Sequence, residues 1–263
     1  MTTPPPGSGR ALSFGTDAAS YDRHRPGYPQ QVLTRILEYA ALPIRTALEI
    51  GAGTGKATRL IAGHGIEVLA TEPDPRMLAV LRERTAGLPV TPVLGSFEEL
   101  PVPDLAGRVE LLYAAAAFHW TDPTTRWDRV AEILPTGGTA AFFGGELELA
   151  DPDLRATFAR VIGDEVAPQA GVPMPGDEQG RPWPASELVA DPRFGDVTQH
   201  AIPRRQRLTR EDFLGHLGTQ SRFLTLEPAE RAVIFDRVRA VLPDLIDFRA
   251  DLTLHLARRV TSA

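Results

Sequence analysis

The sequence predicts a doubly wound α/β fold. Three observations carry it. Five short apolar segments alternate with amphipathic segments between residues 46 and 143. Among them, 109–113 is apolar at every position but Glu110, with Leu111, Leu112 and Tyr113 consecutive, as in a strand covered on both faces of a parallel sheet. The first ends in Gly51-Ala52-Gly53-Thr54-Gly55, a glycine turn that opens a helix. Strand and helix in alternation build such a sheet with right-handed crossovers.

In chain order, residues 1–13 are rich in Thr, Pro, Gly and Ser and read as a flexible tail without a signal sequence. Pro29 opens a helix reaching about Leu42. Val32, Leu33, Ile36, Leu37 and Ala40 share one of its faces, and Pro43 ends it. Strand 46–50 runs into the glycine turn, and a helix follows to Gly63. Strand 67–71 precedes a helix that starts near Pro75, buries Met77, Leu78 and Leu81, and closes at Gly87. Strand 90–94 contains Pro92, which cannot donate to a ladder, so it belongs at a sheet edge. Strand 109–113 precedes Asp122-Pro123, a cap and first helical turn, with Trp127, Val130, Ala131 and Leu134 facing inward. Gly137-Gly138 leads into strand 139–143.

The second half breaks the alternation. Asp151-Pro152 opens a helix, and 168–184 is a proline-rich loop. Segments 197–208 and 252–260 read as late strands of the same sheet, with helices near 210–218 and 228–242 covering its ligand edge. The domain expectation is a tail, 1–13, and one domain, 14–263. Residues 14–145 form its cofactor-binding half, and 146–263 supply final strands and a helical substrate cap.

Composition removes several function classes. The 263 residues contain no Cys, which excludes disulfides, thiol nucleophiles, thiolate zinc and iron–sulfur clusters. Net charge of −6 argues against wrapping nucleic acid, which needs excess cations. Arg204-Arg205-x-Arg207 reads as a solvated strand end. The longest apolar run, 111–118, is far short of the roughly 18–20 residues that cross a bilayer. A cytoplasmic protein without a membrane or nucleic-acid partner is expected. The histidines outside the motifs show no metal spacing, and Glu146, Glu148, Asp151 and Asp153 read as a capped helix start, so no metal site is expected. Lys56 is the one lysine, which leaves a single candidate for Schiff-base chemistry.

The glycine turn fits three ligands unequally. A phosphate-binding loop requires Gly, four residues, then Gly-Lys-Ser/Thr. Gly55-Lys56 matches, but Ile50 and Ala57 do not. A dinucleotide fingerprint requires a third glycine where Lys56 stands. Glu49, two residues before Gly51, disfavours a pyrophosphate and welcomes a cation.

Glu49-x-Gly51-x-Gly53-x-Gly55 resembles the first motif of the class I S-adenosylmethionine-dependent methyltransferases. The resemblance implies a seven-stranded, mostly parallel, Rossmann-like sheet with helical cap insertions, and S-adenosylmethionine as cofactor with S-adenosylhomocysteine as product. It places Glu49, Gly51 and Gly53 at the cofactor and Glu72, at the end of the second strand, on the ribose hydroxyls. Gly95-Ser96-Phe97-Glu98-Glu99-Leu100-Pro101 resembles the adenine-edge segment, although many members have Asp-Ala in place of Ser96-Phe97. Ser96 is then expected on the adenine amine and Phe97 on the ring, with Phe97 as plain core the alternative. Ala115, at the end of the fourth strand, is placed with the cofactor residues.

Phe118-His119-Trp120, Leu134-Pro135-Thr136-Gly137-Gly138 and the opening Phe14…Tyr21…Arg25-Pro26-x-Tyr28-Pro29 resemble a subgroup that includes trans-aconitate methyltransferase-like small-molecule enzymes. In relatives the opening segment folds over the cofactor, which brings Tyr21 and Arg25 to the site. Arg25 then pairs with the cofactor carboxylate or an acidic acceptor, or is a surface arginine.

Methyl transfer is an in-line displacement for which positioning and exclusion of water supply most of the acceleration. A base is needed only if the acceptor must lose a proton. His119, just past the fourth strand, is the candidate base, with acceptor binding and a structural role as alternatives. The acceptor is expected to be a small molecule methylated on oxygen before nitrogen or carbon, and the protein a monomer or homodimer. Residues 165–225, with Met174, Trp183, Phe213 and Phe223 offering apolar surface, are expected to set specificity. The rivals are a non-catalytic cofactor-binding module, a cyclase on the same fold, and a weaker NAD-dependent oxidoreductase.

Overall fold

A computed structural model of the chain describes residues 15, 17–163, 180 and 182–261. The expected tail, Phe14, Met174 and most of the proline-rich loop lie outside the described residues. Strands and helices are numbered here in chain order. The main sheet holds β1 (Thr46–Ile50), β2 (Glu67–Glu72), β3 (Val90–Leu94), β4 (Leu111–Ala115), β5 (Thr139–Gly144), β7 (Phe194–Ile202) and β10 (Leu252–Arg259). Its order is β3-β2-β1-β4-β5-β10-β7. The first five strands are parallel, and β10 runs antiparallel to both β5 and β7. This is the expected seven-stranded, mostly parallel sheet. β3, with Pro92, stands at its edge.

Helix α1 (Ala18–His24) crosses the ligand side. On one face α2 (Gln30–Tyr39), α3 (Lys56–Ala62) and α4 (Pro75–Arg84) bury Leu33, Ile36, Ile61, Leu78 and Leu81 against β1, β2 and β10. On the other face α5 (Val102–Leu105), α6 (Arg126–Ile133) and α8 (Ala185–Ala190) bury Val102, Val130, Ile133 and Leu188 against β1, β4 and β5. β1 and β4 are covered on both sides, which is why their apolar residues are consecutive.

A second sheet, ordered β6-β9-β8, contains β6 (Glu148–Leu149), β8 (Arg205–Thr209) and β9 (Leu245–Arg249). These strands begin just past β5 and β7 and end just before β10, so the small sheet stands over the C-terminal edge of the parallel strands. Its inner face, Ile246 and Phe248, packs on α7 (Pro152–Ile162), α9 (Arg210–Gly218), α10 (Ser221–Leu224) and α11 (Pro228–Val241) in a separate apolar cluster. Its outer face pairs Arg207 with Asp247 at 2.6 Å across the ladder. This assembly is termed the cap.

Several boundaries differ from expectation. The helix opened by Pro29 ends at Tyr39, before the expected Leu42, and Leu37 is exposed and not on its buried face. The fourth strand begins two residues later, because Val109 is buried ahead of the ladder. Asp122 does not cap α6: its carboxylate accepts from Thr124 N in a turn, and the helix starts at Arg126. The segment 197–208 is two strands in different sheets, separated at Pro203 and Arg204. The basic run there is matched by Asp247 and Asp251. No helix among the described residues is long and apolar enough to cross a membrane.

Candidate functional site

The site forms where β1, β2 and β4 end. Gly51 (φ +64°) and Gly53 (φ +58°) adopt left-handed backbone in the turn after β1. At Gly51 the close approach is to the protein itself: a Cβ there would lie 2.7 Å from Ala117 Cβ. Ala52 N donates to Thr71 O at 2.8 Å, which ties the turn to β2. Glu72 closes it: one carboxylate oxygen accepts from Gly53 N at 2.8 Å, the other from Asp74 N at 2.9 Å. Burial raises the Glu72 pKa against those two N–H groups. Each oxygen keeps a lone pair for a further donor, so the carboxylate can shape the loop and still receive a diol.

Glu49 lies beneath the turn with no solvent exposure. One of its oxygens accepts from Thr58 Oγ1 at 2.5 Å and from Tyr113 OH at 2.8 Å. Its other oxygen, Oε1, is buried without a partner. Burial pushes the Glu49 pKa up to about 8, against those two hydroxyl donors. Tyr28 packs edge-on against Phe143 with ring centroids 5.0 Å apart. Burial, then the charges of Tyr21 and Glu49, raise its pKa.

Ser96 and Glu99 cap each other in a reciprocal box: Ser96 N donates to Glu99 Oε2 at 2.8 Å. Phe97 is 3% exposed, with its ring in the core near Phe118 (6.5 Å) and the Arg129 guanidinium (5.2 Å). The structure thus gives Phe97 the core placement and not the stacking one. Ala115 is half-buried at the end of β4, and the next residue, Ala116, holds φ +54°, a strained value for a side-chain-bearing residue.

His119 follows in a short 3-10 turn, exposed, with its ring 4.6 Å from Trp120. The surrounding protein, then Arg126, hold the imidazole below its ordinary pKa. Arg126 is 2% exposed, ion-paired with Glu187 at 3.1 Å, and lies over the ring of Trp183 at 5.0 Å.

Tyr21 and Arg25 arrive from α1 and the turn after it. Arg25 lies 5.3 Å from the Tyr21 ring centroid and donates to Thr219 Oγ1 at 2.8 Å and Thr219 O at 3.1 Å. It is therefore anchored on the cap. Of the apolar residues expected to face an acceptor, Phe213 and Phe223 are 3% and 0% exposed in the cap core, and Trp183 packs with Phe118.

Sequence reading missed three residues here: Asp22, His216 and Arg222. Arg222 is half-buried, and burial lowers its pKa against the opposing charge of Glu146, with Arg25 lowering it further. His216 is 3% exposed, and burial, then Arg25, hold its pKa down at about 3. No pattern in one sequence separates such cations from ordinary surface arginines. No cluster of metal-ligating side chains occurs among the described residues.

These residues fit S-adenosylmethionine. Glu49 Oε1 is a buried acceptor lacking a donor, and Glu72 offers further acceptor capacity beside it in the loop. The cations nearest the loop, Lys56, Arg59 and Arg84, are gathered around Asp22 and do not form a pyrophosphate site.

Comparison with known proteins agrees. A methyltransferase domain model matches residues 48–142. An uncharacterised methyltransferase of Mycobacterium tuberculosis is 34% identical over 233 residues, 88% of this chain and 86% of its own length. A solved structure assigned to the type II methyltransferases, from Anaeromyxobacter dehalogenans, superposes with TM-score 0.61 at 24% identity, covering 91% of this chain and 99% of that one. Phosphoethanolamine N-methyltransferase 2 of Haemonchus contortus, solved with S-adenosylhomocysteine, gives TM-score 0.52 at 16% identity over 94% of this chain and 58% of its own. At those identities the two structures show the fold alone. The relationship over most of both lengths, together with the glycine turn, places the chain in the S-adenosylmethionine-dependent methyltransferases.

Proposed function

We propose that the protein methylates an oxygen of a small acidic molecule, as in the trans-aconitate methyltransferase-like subgroup that its motifs resemble. The observation that carries this reading is the pair of half-buried guanidiniums, Arg25 and Arg222, with neutral His216 beside them at the cap end of the cleft. Two guanidiniums held close together present the planar donors that a carboxylate accepts.

S-adenosylmethionine, when bound, supplies an electrophilic methyl on positive sulfur. Glu72 would hold the ribose hydroxyls while bonding Gly53 N and Asp74 N, Glu49 would face the ammonium end, Ser96 the adenine edge, and Ala115, the Gly51 turn, Tyr21 and Tyr28 would surround the cofactor. Arg25 and Arg222 would orient the acceptor carboxylate, which carries no proton and so needs no base. His119, kept neutral by its surroundings and Arg126, can take a proton when the acceptor is a hydroxyl. The 165–225 region contributes to specificity through polar groups, since Phe213 and Phe223 are core.

The test is to supply methyl-labelled cofactor with panels of carboxylic acids, phenols and amines and to follow S-adenosylhomocysteine and methylated product. Turnover confined to acids, with His119→Ala retaining kcat, supports the reading. Turnover confined to amines or phenols, or cofactor binding with no turnover on any panel, defeats it.

A further inference from the structure

Helix α1 touches both halves of the molecule through different residues. On the cofactor side Asp22, whose side chain is 8% exposed, meets three cations. Arg84 Nε donates to its Oδ2 at 2.8 Å, while Lys56 Nζ and Arg59 Nη2 stand 3.6 and 3.7 Å from Oδ1. Lys56 Nζ also donates to the Asp22 carbonyl at 2.6 Å. Lys56 opens α3, directly behind the glycine turn. Asp22 Oδ1 is buried without a hydrogen bond, and so is Thr54 Oγ1 in the turn itself. The Thr54 hydroxyl acts on the same Asp22 carboxylate. Charge-assisted bonds form at about 2.7–2.9 Å, so an approach of less than ~1 Å would convert these loose contacts into bonds.

On the cap side the following turn grips α9. Arg25 donates twice to Thr219, and the Thr219 hydroxyl donates in turn to His216 O at 2.7 Å. His24 lies 3.8 Å from Asp212, and its ring presses on Gly215, where a Cβ would come within 2.5 Å of it.

We infer that Asp22 and Thr219 are positioning residues at the two ends of one strap, α1, through which the cap sets how tightly the glycine turn closes on the cofactor. Thr219 lies on the cap and belongs to none of the residues assigned to the cofactor. A purely local role, acting through Arg25 alone, leaves the Lys56 environment at the far end of α1 unmoved. The strap predicts that it moves, because freeing α1 at either end removes the same restraint. The inference rests on cofactor binding at the glycine turn and is independent of the acceptor.

The experiment is calorimetric titration with S-adenosylhomocysteine of wild type, Asp22→Asn, Thr219→Val and the double variant. Thr219→Val keeps the shape and loses the hydroxyl. Coupling between linked sites is of the order of 0.5–2 kcal/mol, so Thr219→Val is expected to weaken binding roughly two- to thirtyfold. Asp22→Asn should weaken it at least as much, with the double variant no weaker than Asp22→Asn alone. The chain's one lysine gives a second readout. In protein grown with 13C-lysine, the Lys56 Cε signal should shift in Asp22→Asn and move part of the way in Thr219→Val. Wild-type affinity in Thr219→Val, or an unmoved Lys56 signal there, overturns the strap, as does a double variant whose loss is the product of the two single losses. A wild-type chain that fails to bind S-adenosylhomocysteine instead overturns the cofactor site itself.

Discussion

The glycine-turn half and the cap differ in the polar groups they enclose. Beneath the turn, Glu49, Glu72 and Asp74 are 0%, 7% and 1% exposed. They are held by hydroxyls and backbone N–H groups, except Asp74, which also pairs with Arg76 at 2.7 Å. At the cap the buried group is an imidazole, His216, with the half-buried guanidiniums of Arg222 and, reaching in from the turn after α1, Arg25. Either set alone would be expensive. The difference teaches how one cleft handles two partners: the loop half is rich in acceptors, which suits a cofactor carrying hydroxyls and positive charge, and the cap is rich in donors.

The largest break in this contrast is expected from Glu72→Ala. It removes the acceptor for Gly53 N and Asp74 N as well as any ribose contact. Hydrogen bonds to charged groups contribute about 1.5–3 kcal/mol each, so affinity for S-adenosylhomocysteine should fall roughly 100-fold or more. Glu72→Gln, which keeps one acceptor oxygen, should lose about tenfold. Calorimetry checks both, and wild-type affinity in Glu72→Ala would remove that residue from the site.

Glycine substitutions sharpen the comparison next. Gly51→Ala combines φ +64° with a Cβ 2.7 Å from Ala117, whereas Gly65, in the turn after α3, has φ +80° and open space around it. Left-handed backbone alone costs an ordinary residue about 1 kcal/mol. Gly65→Ala should therefore lower stability by about that amount and Gly51→Ala by about 2–3 kcal/mol, read by urea denaturation. Equal losses would mean that Ala117 yields freely.

The two halves were unequally legible in the sequence. In the loop half every strand occupies its expected place or lies within two residues of it, because consecutive apolar residues mark doubly covered strands and glycine marks the turn. Glu49 and Glu72 stand at the end of β1 and β2 beside that turn, where the motif resemblance put them in the chain. In the cap, β6 is only two residues long, and β8 alternates charged with half-buried residues as any solvated edge does. Period-two alternation over 197–208 does not reveal that Pro203 hands the chain from one sheet to another. Phe97 shows the same limit at the site: a buried and a stacking phenylalanine look alike until Arg129 and Phe118 are seen around it.

Arg222→Gln tests the donor side with a smaller effect. It should leave S-adenosylhomocysteine affinity within about twofold while raising KM for an acidic acceptor roughly tenfold, the loss of one charge-assisted contact. A fall in cofactor affinity equal to the rise in KM would move Arg222 to the cofactor end of the cleft.

The smallest effect is the pH dependence of the free protein, in which the two halves should pull in opposite directions. Glu49 is raised by burial to about 8 from an unfolded value of 4.5. The folded state therefore holds its proton more tightly, and this contribution to stability is full below 4.5 and lost as pH rises through about 8. His216 is lowered by burial to about 3 from 6.5. There the unfolded state takes the proton first, and stability is lost as pH falls from 6.5 towards 3. His255, which burial holds at about 4, acts in the same direction as His216, so between 4.5 and 6.5 the two histidines outweigh Glu49 and stability falls as pH falls. Of these three groups Glu49 alone contributes above 6.5 and His216 alone below about 4. Each proton contributes a slope of at most about 1.4 kcal/mol per pH unit. Thermal midpoints measured from pH 4 to 9 should show Glu49→Gln flattening the alkaline limb alone. His216→Gln should flatten the acid limb only in part, because His255 remains. An alkaline limb unchanged in Glu49→Gln would mean that the carboxyl is already ionised beneath the turn, and the acceptor side of the contrast would then carry a full buried charge awaiting its cation.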